Sequence, residues 1–132
     1  MPNSFVQIIL LAAVADGKID AEEQALLMSY KTRYPQIKDI SSQEFDDAKI
    51  NLFNKLSAGF GLPQLIEELG AGLSDDQKNA AFALALEMCS ANFEIVPKEK
   101  DFLEMIASKW KLKKSIVASL KLSTELRYGT NF

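Results

Sequence analysis

The sequence predicts an all-α protein, a single domain over residues 1–132 folded as a bundle of about seven helices. Apolar residues recur at helical spacing, and no stretch longer than about four residues alternates apolar with polar side chains as a half-buried strand would. Serine, aspartate, glycine and proline signals that begin or end helices separate these apolar stretches. The length of 132 residues, with 48% hydrophobic and 25% charged residues, is typical of one globular domain.

The first two predicted helices flank a glycine. Helix A covers about residues 4–16 and is apolar nearly all round, so we expect the rest of the molecule to enclose it. Gly17 supplies its left-handed stop. Helix B begins at Asp20, where the sequence DAEE has the spacing of a reciprocal N-terminal cap, and ends near Tyr34 because Pro35 cannot follow inside a helix.

The same capping signal recurs twice in the middle of the chain. The sequence SSQE from Ser41 opens helix C, which Gly59 and Gly61 end, and SDDQ from Ser74 opens helix E. The residues expected to face the core are Phe45, Ile50, Phe53 and Leu56 in helix C, and Phe82, Leu84, Leu86, Met88 and Cys89 in helix E.

Three further helices complete the bundle. Helix D covers about residues 63–69 with a proline in its first turn, helix F about 97–109 and helix G about 113–127. Their expected core residues are Phe102, Leu103, Ile106 and Trp110 in helix F, and Ile116, Val117, Leu120 and Leu126 in helix G.

An internal repeat relates the two ends of the chain. Residues 16–23 align with residues 92–99, and helix, turn and helix match on both sides. Ile19 falls on Ile95 and Glu23 on Glu99. We therefore expect two degenerate helix-turn-helix units around a shared core.

Composition argues against several classes of protein. The chain has no histidine and one cysteine, so it lacks the usual general base, the usual zinc ligand and any intrachain disulfide. An enzyme is the least favoured class.

The apolar run 5–15 is about half the roughly 20 residues of a membrane-spanning helix, and no basic residue precedes it as in a signal peptide. We expect a cytoplasmic protein without membrane insertion.

Charge is distributed unevenly along the chain. Through residue 97 there are 7 basic and 14 acidic residues, and from Lys98 onward there are 8 basic and 4 acidic residues. An acidic body disfavours nucleic acid as the main ligand, because phosphate binding depends on a broad basic face.

Three carboxylates lie close together around Gly17. Asp16, Asp20 and Glu23 could converge on a hard divalent cation, which prefers oxygen ligands, although the spacing is not that of an EF-hand. The alternative is purely structural. Gly17 would end helix A, Asp20 would cap helix B, and Glu23 would reach back to the capping backbone donor.

The same residues resemble a known family. The sequence AVADGKIDAEE at 13–23, preceded by an apolar helix and followed by two leucines, is similar to the signature of the tellurite-resistance TerB family, and residues 74–112 resemble the family's second copy. The resemblance implies a seven-helix, cytoplasmic bacterial domain associated with tellurite and other chemical stress. A similar domain occurs in membrane-anchored DnaJ-type co-chaperones. It also implies acidic residues in both turns, forming a negatively charged surface with Ca²⁺ or Mg²⁺ as candidate ligands.

The family's acidic positions are only partly present in the second turn. Asp16, Asp20 and Glu23 match in the first turn, and Glu99 matches in the second, where Asn92 stands in place of an aspartate. Phe93 replaces the turn glycine and Val96 the remaining carboxylate. Any cation would therefore sit mainly on the first turn, because affinity depends on ligand charge.

Three other groups of residues have both a structural and a functional interpretation. Cys89 is either a buried inert thiol or a reactive one, and no neighbouring base supports reactivity. Lysines 109, 111, 113 and 114 around Trp110 either complement the end of helix F or bind an anion or single-stranded nucleic acid. Met28, Tyr30 and Tyr34, with Phe60 and Leu62, are either core or part of a groove for another helix.

Two functional hypotheses follow from the sequence. The first is a non-catalytic TerB-like stress-response domain that acts through its acidic surface, by binding a divalent cation or by recruiting a protein whose identity the sequence does not give. The second is a pure interaction or scaffolding module in which the carboxylates only cap helices.

Overall fold

The computed structural model describes residues 6–11, 29, 38, 41–90 and 97–130. All regular structure in these residues is α-helical, which confirms the all-α prediction. A helical segment at 6–11 is followed by five helices: α1 (Ser42–Ser57), α2 (Leu62–Gly70), α3 (Asp75–Cys89), α4 (Pro97–Lys109) and α5 (Lys114–Tyr128). The total of about seven helices and the repeat stay predictions, because both predicted turns lie outside the described residues.

The bounds of the helices follow the local signals. α4 has the predicted bounds, and α2 and α5 differ from prediction by one residue at each end. Both described capping boxes form. The Glu44 amide donates to Ser41 Oγ at 3.0 Å, and the Gln77 amide donates to Ser74 Oγ at 3.2 Å, each with the reciprocal side-chain contact. Ser29, inside predicted helix B, is helical.

Two helices end in the same hydrogen-bonded C-terminal motif. After α1, Gly59 has φ 93°, and the Phe60 amide reaches back to the Lys55 carbonyl at 3.1 Å. After α4, the residue in the left-handed position is Lys111, with φ 53°, and the Leu112 amide donates to the Ala107 carbonyl at 3.0 Å. These bonds satisfy carbonyls that have no partner within the helix. Lys111 occupies a conformation that favours glycine.

A buried apolar core lies where the helices meet. The segment 6–11 is buried at every position, as predicted for the enclosed helix A. α3 packs against both α4 and α5, and α2 packs against α4. The predicted core residues of α3 and α4 are all buried, including Phe82 and Phe102, which are among the largest fully enclosed side chains.

Polar contacts add specificity between the helices. Trp110 packs inward and its Nε1 donates to the Ile66 carbonyl at 2.8 Å, which joins the end of α4 to α2. Arg127 on α5 forms an ion pair with the buried Glu87 of α3 at 2.7 Å.

Three predicted core positions are wrong. Ile50 and Phe53 of α1 are 57% and 39% exposed, and Leu126 of α5 is 77% exposed. The inner face of α1 is instead centred on Ala48 and Leu52, which are fully buried. Because Ile50 lies two residues from each of them, about 200° around the helix, it points away from the core.

Leu126 is exposed for the same reason, because the inner face of α5 is centred on a different residue. The buried residue near it in α5 is Thr124, whose Oγ1 donates to the Leu120 carbonyl at 2.8 Å. Ile116, Val117 and Leu120 are partly buried, so the prediction for α5 holds at three of four positions.

No helix within the described ranges is both long enough and apolar enough to cross a bilayer.

Candidate functional site

The residues of the predicted cation site fall mostly outside the described part of the chain. This is the case for Asp16, Asp20, Glu23 and Asn92. Glu99 is described: it lies in the first turn of α4 and is buried, with 7% of its surface exposed. Within the described ranges, no three histidine, cysteine, aspartate or glutamate side chains are grouped so that they could hold a metal ion.

Cys89 lies at the end of α3 among core residues and is 2% exposed. Its burial agrees with the structural interpretation of this thiol, because reactive cysteines are solvent-accessible.

The lysine cluster divides into structural and exposed members. Trp110 at its centre is buried, as the structural interpretation requires. Lys109 lies in the last turn of α4 and pairs with Glu67 of α2 at 3.6 Å. Lys111, Lys113 and Lys114 are exposed.

An open groove of about 460 Å³ lies between α4 and α5. Its apolar lining comes from Ala107, Leu112, Val117 and Ala118, and its basic lining from Lys111, Lys114 and Lys121. The groove exists because both helices pack on α3, and the short connection 110–113 joins them at one end. We call it the α4–α5 groove.

The charge of the α4–α5 groove is not balanced internally. Lys121 pairs with Glu104 across the groove at 2.6 Å. None of the described carboxylates lies within ion-pair distance of Lys111 or Lys114. Lys114 also stands in the first turn of α5, which has no acidic residue and no side-chain cap. The positive end of the helix dipole adds to the lysine charge, so this end of the groove attracts anions.

An apolar row continues from the groove along α5. Ala118, Leu122 and Leu126 follow one another at four-residue intervals, which forms a ridge on a helix surface. Leu122 is 56% exposed. A basic end and an apolar row therefore lie on one continuous surface.

A second cavity of about 380 Å³ lies between the 110–113 connection and the start of α3. Asp75 and Asp76 line it together with Lys111 and Lys113, so it carries both signs of charge. This mixed lining gives it no net preference for an anion.

The aromatic groove proposed around helix B is only partly described. Met28, Tyr30 and Tyr34 lie outside the described residues. Phe60 and Leu62 are partly buried and pack against the core.

The sequence indicated the lysine cluster but missed Lys121, Ala118 and Leu122 as parts of one surface. A usable signal was present, since Ala118 and Leu122 lie four and eight residues after Lys114 and therefore on neighbouring turns. What was missing was the position of α4, which supplies the opposite wall of the groove.

A scan against protein-family models, a search of curated proteins and a search of solved structures each returned no match. The resemblance to TerB thus depends on the sequence motif alone.

Proposed function

We propose that this chain is a non-catalytic helical binding module whose α4–α5 groove holds an acidic amphipathic helix of a protein partner. The observation that carries the proposal is the pair of exposed lysines, Lys111 and Lys114, beside an apolar floor. The TerB resemblance adds a cytoplasmic, bacterial stress-response context to the same proposal.

The form of the groove favours a helix as its ligand. Helix-in-groove recognition places apolar side chains at intervals of three and four residues into a trough between helices. The small side chains of Ala107 and Ala118 permit close approach, and the ridge of Leu122 and Leu126 extends the apolar contact. Carboxylates at one end of such a ligand would meet Lys111 and Lys114.

The chemistry of the groove supports a protein ligand over a nucleic acid. Single-stranded nucleic acids are bound by stacking of bases on exposed aromatic side chains. The single tryptophan of the chain, Trp110, is buried, and its indole N–H already donates to Ile66. The floor of the groove is aliphatic.

Two synthetic peptides test this proposal. Both form amphipathic helices with the same apolar residues, but one carries glutamates and the other lysines before the apolar stretch. We expect the glutamate peptide to raise the fluorescence anisotropy of its label on binding, and the lysine peptide to bind at least about tenfold more weakly. The reason is that charge complementarity selects between partners.

The matched variants locate the site. Lys111→Glu/Lys114→Glu should abolish the preference for the glutamate peptide, whereas Lys38→Glu/Lys98→Glu makes the same charge change at two exposed positions that do not line the groove. Equal affinity of the two peptides for the wild-type chain, or equal loss in both variants, contradicts the proposal. Preferential binding of a single-stranded oligonucleotide to the same lysines also contradicts it.

A divalent-cation site is the second candidate. It is favoured by the spacing of Asp16, Asp20 and Glu23, with Asn92 and the buried Glu99 as the matching residues of the second turn. Calorimetric titration with Ca²⁺, Mg²⁺ or Mn²⁺ tests it. Binding heat and a rise in the unfolding temperature are expected for the wild type and not for Asp16→Ala/Asp20→Ala, because a ligand stabilises the state that binds it. If the wild type shows neither effect, the carboxylates are structural caps.

A further inference from the structure

Four large apolar side chains are exposed among the described residues, and they form two pairs. Leu122 and Leu126 lie on α5, four and eight residues after Ala118 of the α4–α5 groove. Ile50 and Phe53 lie on α1, three residues apart and therefore on one face of that helix. Exposed apolar patches with charged surroundings are typical of interaction sites.

The exposed face of α1 has the chemistry of the ligand proposed above. Asp46 and Asp47 precede Ile50 by four and three residues, so all three lie on one side of the helix. Both carboxylates are exposed, and no described basic side chain pairs with either. Asp47 accepts a hydrogen bond from the uncharged side chain of Gln43 at 2.9 Å. We call the face formed by Asp46, Asp47, Ile50 and Phe53 the α1 ridge.

We propose that the α1 ridge of a second copy of this chain occupies the α4–α5 groove. This inference depends on the proposed function and names the partner. It accounts for three of the four exposed apolar side chains, Ile50, Phe53 and Leu122, and for the unbalanced charges of both surfaces with one contact.

The spacing of charged and apolar groups agrees on the two surfaces. From Asp46 to Phe53 the chain advances seven residues, about 10 Å along a helix at 1.5 Å per residue. From Lys114 to Leu122 it advances eight residues, about 12 Å. In both helices the charges come first and the apolar residues follow. A parallel alignment of α1 with α5 therefore places Asp46 and Asp47 against Lys111 and Lys114, and Ile50 and Phe53 against Ala118 and Leu122.

The charge of the whole chain supports this direction of contact. The part up to residue 97 carries an excess of seven acidic residues, and the part from Lys98 an excess of four basic residues. Segments of opposite charge on two copies attract each other, whereas segments of like charge repel. Because the two surfaces differ, each bound copy still presents one unused surface. Such a heterologous contact gives rings or open chains of subunits.

Sedimentation and light scattering of the full chain test the proposal. The contact is centred on a few side chains, so we expect weak association, visible between about 10 µM and about 1 mM, the range of transient complexes. The average mass of the wild type should rise through this range beyond that of a dimer. Added salt should reduce the association, since the paired charges are exposed.

Two variants, each with one altered surface, provide the decisive measurement. In Ile50→Ser/Phe53→Ser only the α1 ridge is changed, and in Lys111→Glu/Lys114→Glu only the groove. Each alone should remain monomeric, with unchanged helix content by circular dichroism because all four positions are exposed. An equimolar mixture should form dimers and nothing larger, because it contains one intact ridge and one intact groove per pair. The control Lys38→Glu/Lys98→Glu should associate as the wild type does.

The results separate this inference from the proposed function. A wild type that is monomeric throughout the range, or a mixture of the two variants that does not dimerise, overturns self-association. If that same wild-type chain still binds the glutamate peptide, the groove is a site for another protein. If it binds neither the peptide nor itself, both proposals fail.

Discussion

At the scale of single residues, the end of α2 packs closely against Trp110 at Gly70. A Cβ atom at Gly70 would lie 2.6 Å from Trp110 Cδ1 and 2.8 Å from Cε2, and would also meet Nε1. The indole cannot move away without losing its 2.8 Å hydrogen bond to the Ile66 carbonyl. The end of α2 therefore requires a residue without a side chain.

We expect Gly70→Ala to lower the free energy of unfolding by about 1–3 kcal/mol, because overpacking forces side chains and backbone to shift. Urea denaturation followed by Trp110 fluorescence measures the loss. The matched control is Gly61→Ala, whose new Cβ would lie 3.6 Å from Pro63, an ordinary contact. Equal stability of the two variants would show that the indole has room to move.

Lys111 has a backbone conformation that favours glycine over a residue with a side chain. Its φ of 53° is left-handed, which costs a residue with a side chain about 1–2 kcal/mol. Lys111→Gly should therefore raise the free energy of unfolding, by about 0.5–1 kcal/mol once the greater freedom of glycine in the unfolded chain is included. Lys109→Gly, inside the last turn of α4, should lower it by about 1 kcal/mol. A loss of stability in Lys111→Gly would contradict this account. Residues with unfavourable backbone conformations cluster at functional sites, so the conformation of Lys111 agrees with its proposed role in the groove.

At the scale of helices, the capping boxes set where α1 and α3 begin. Ser41→Ala and Ser74→Ala each remove the acceptor for an amide at the helix start, and each should cost about 1 kcal/mol. Ser57→Ala, at the exposed last position of α1, is the control and should change stability by less than about 0.5 kcal/mol. Thermal denaturation measures all three. Aspartate in place of either serine should retain most of the stability, since it also accepts from the same amide.

These helix bounds could be predicted because their causes are local. Ser41, Ser74, Gly59 and Pro97 each act within one turn of their own position. The orientation of a helix is different, because it depends on what lies against it.

The faces of α1 and α5 show where hydrophobicity misleads. Ala48 and Thr124 are buried, whereas the larger apolar side chains of Ile50 and Leu126 are exposed. A small residue lets a helix approach the core closely, and a threonine is accepted there because its hydroxyl bonds to the carbonyl of Leu120. Ranking residues by hydrophobicity therefore selects the wrong side.

The candidate site, like the fold, could be predicted from the sequence only in part. The lysines around Trp110 stand out in the sequence, but the groove depends on the separation of α4 and α5 on the surface of α3. The cation site at Asp16, Asp20 and Glu23 lies outside the described residues and stays a prediction.

At the scale of the whole molecule, the described helices share one core centred on α3. Phe82 of α3 is fully buried, and α3 packs against both α4 and α5. Phe102 of α4 and Leu65 of α2 belong to the same cluster of buried residues. A destabilising substitution in α3 should therefore lower the stability of all the described helices together, as expected for the single domain predicted over residues 1–132.

Phe82→Ala tests whether the described helices unfold in one cooperative transition. Removing a buried aromatic side chain should cost about 3–5 kcal/mol, a large part of the roughly 5–15 kcal/mol that stabilises a typical domain. Because Trp110 reports on the junction of α2 and α4 while circular dichroism reports on all helices, the two signals should shift to the same lower urea midpoint. Leu122→Ala, at an exposed position of α5, should leave the midpoint nearly unchanged. Separate midpoints for fluorescence and circular dichroism in the Phe82→Ala variant would mean that the helices around Trp110 unfold independently of the rest. In that case the shared core could not hold the α4–α5 groove and the α1 ridge in one rigid molecule.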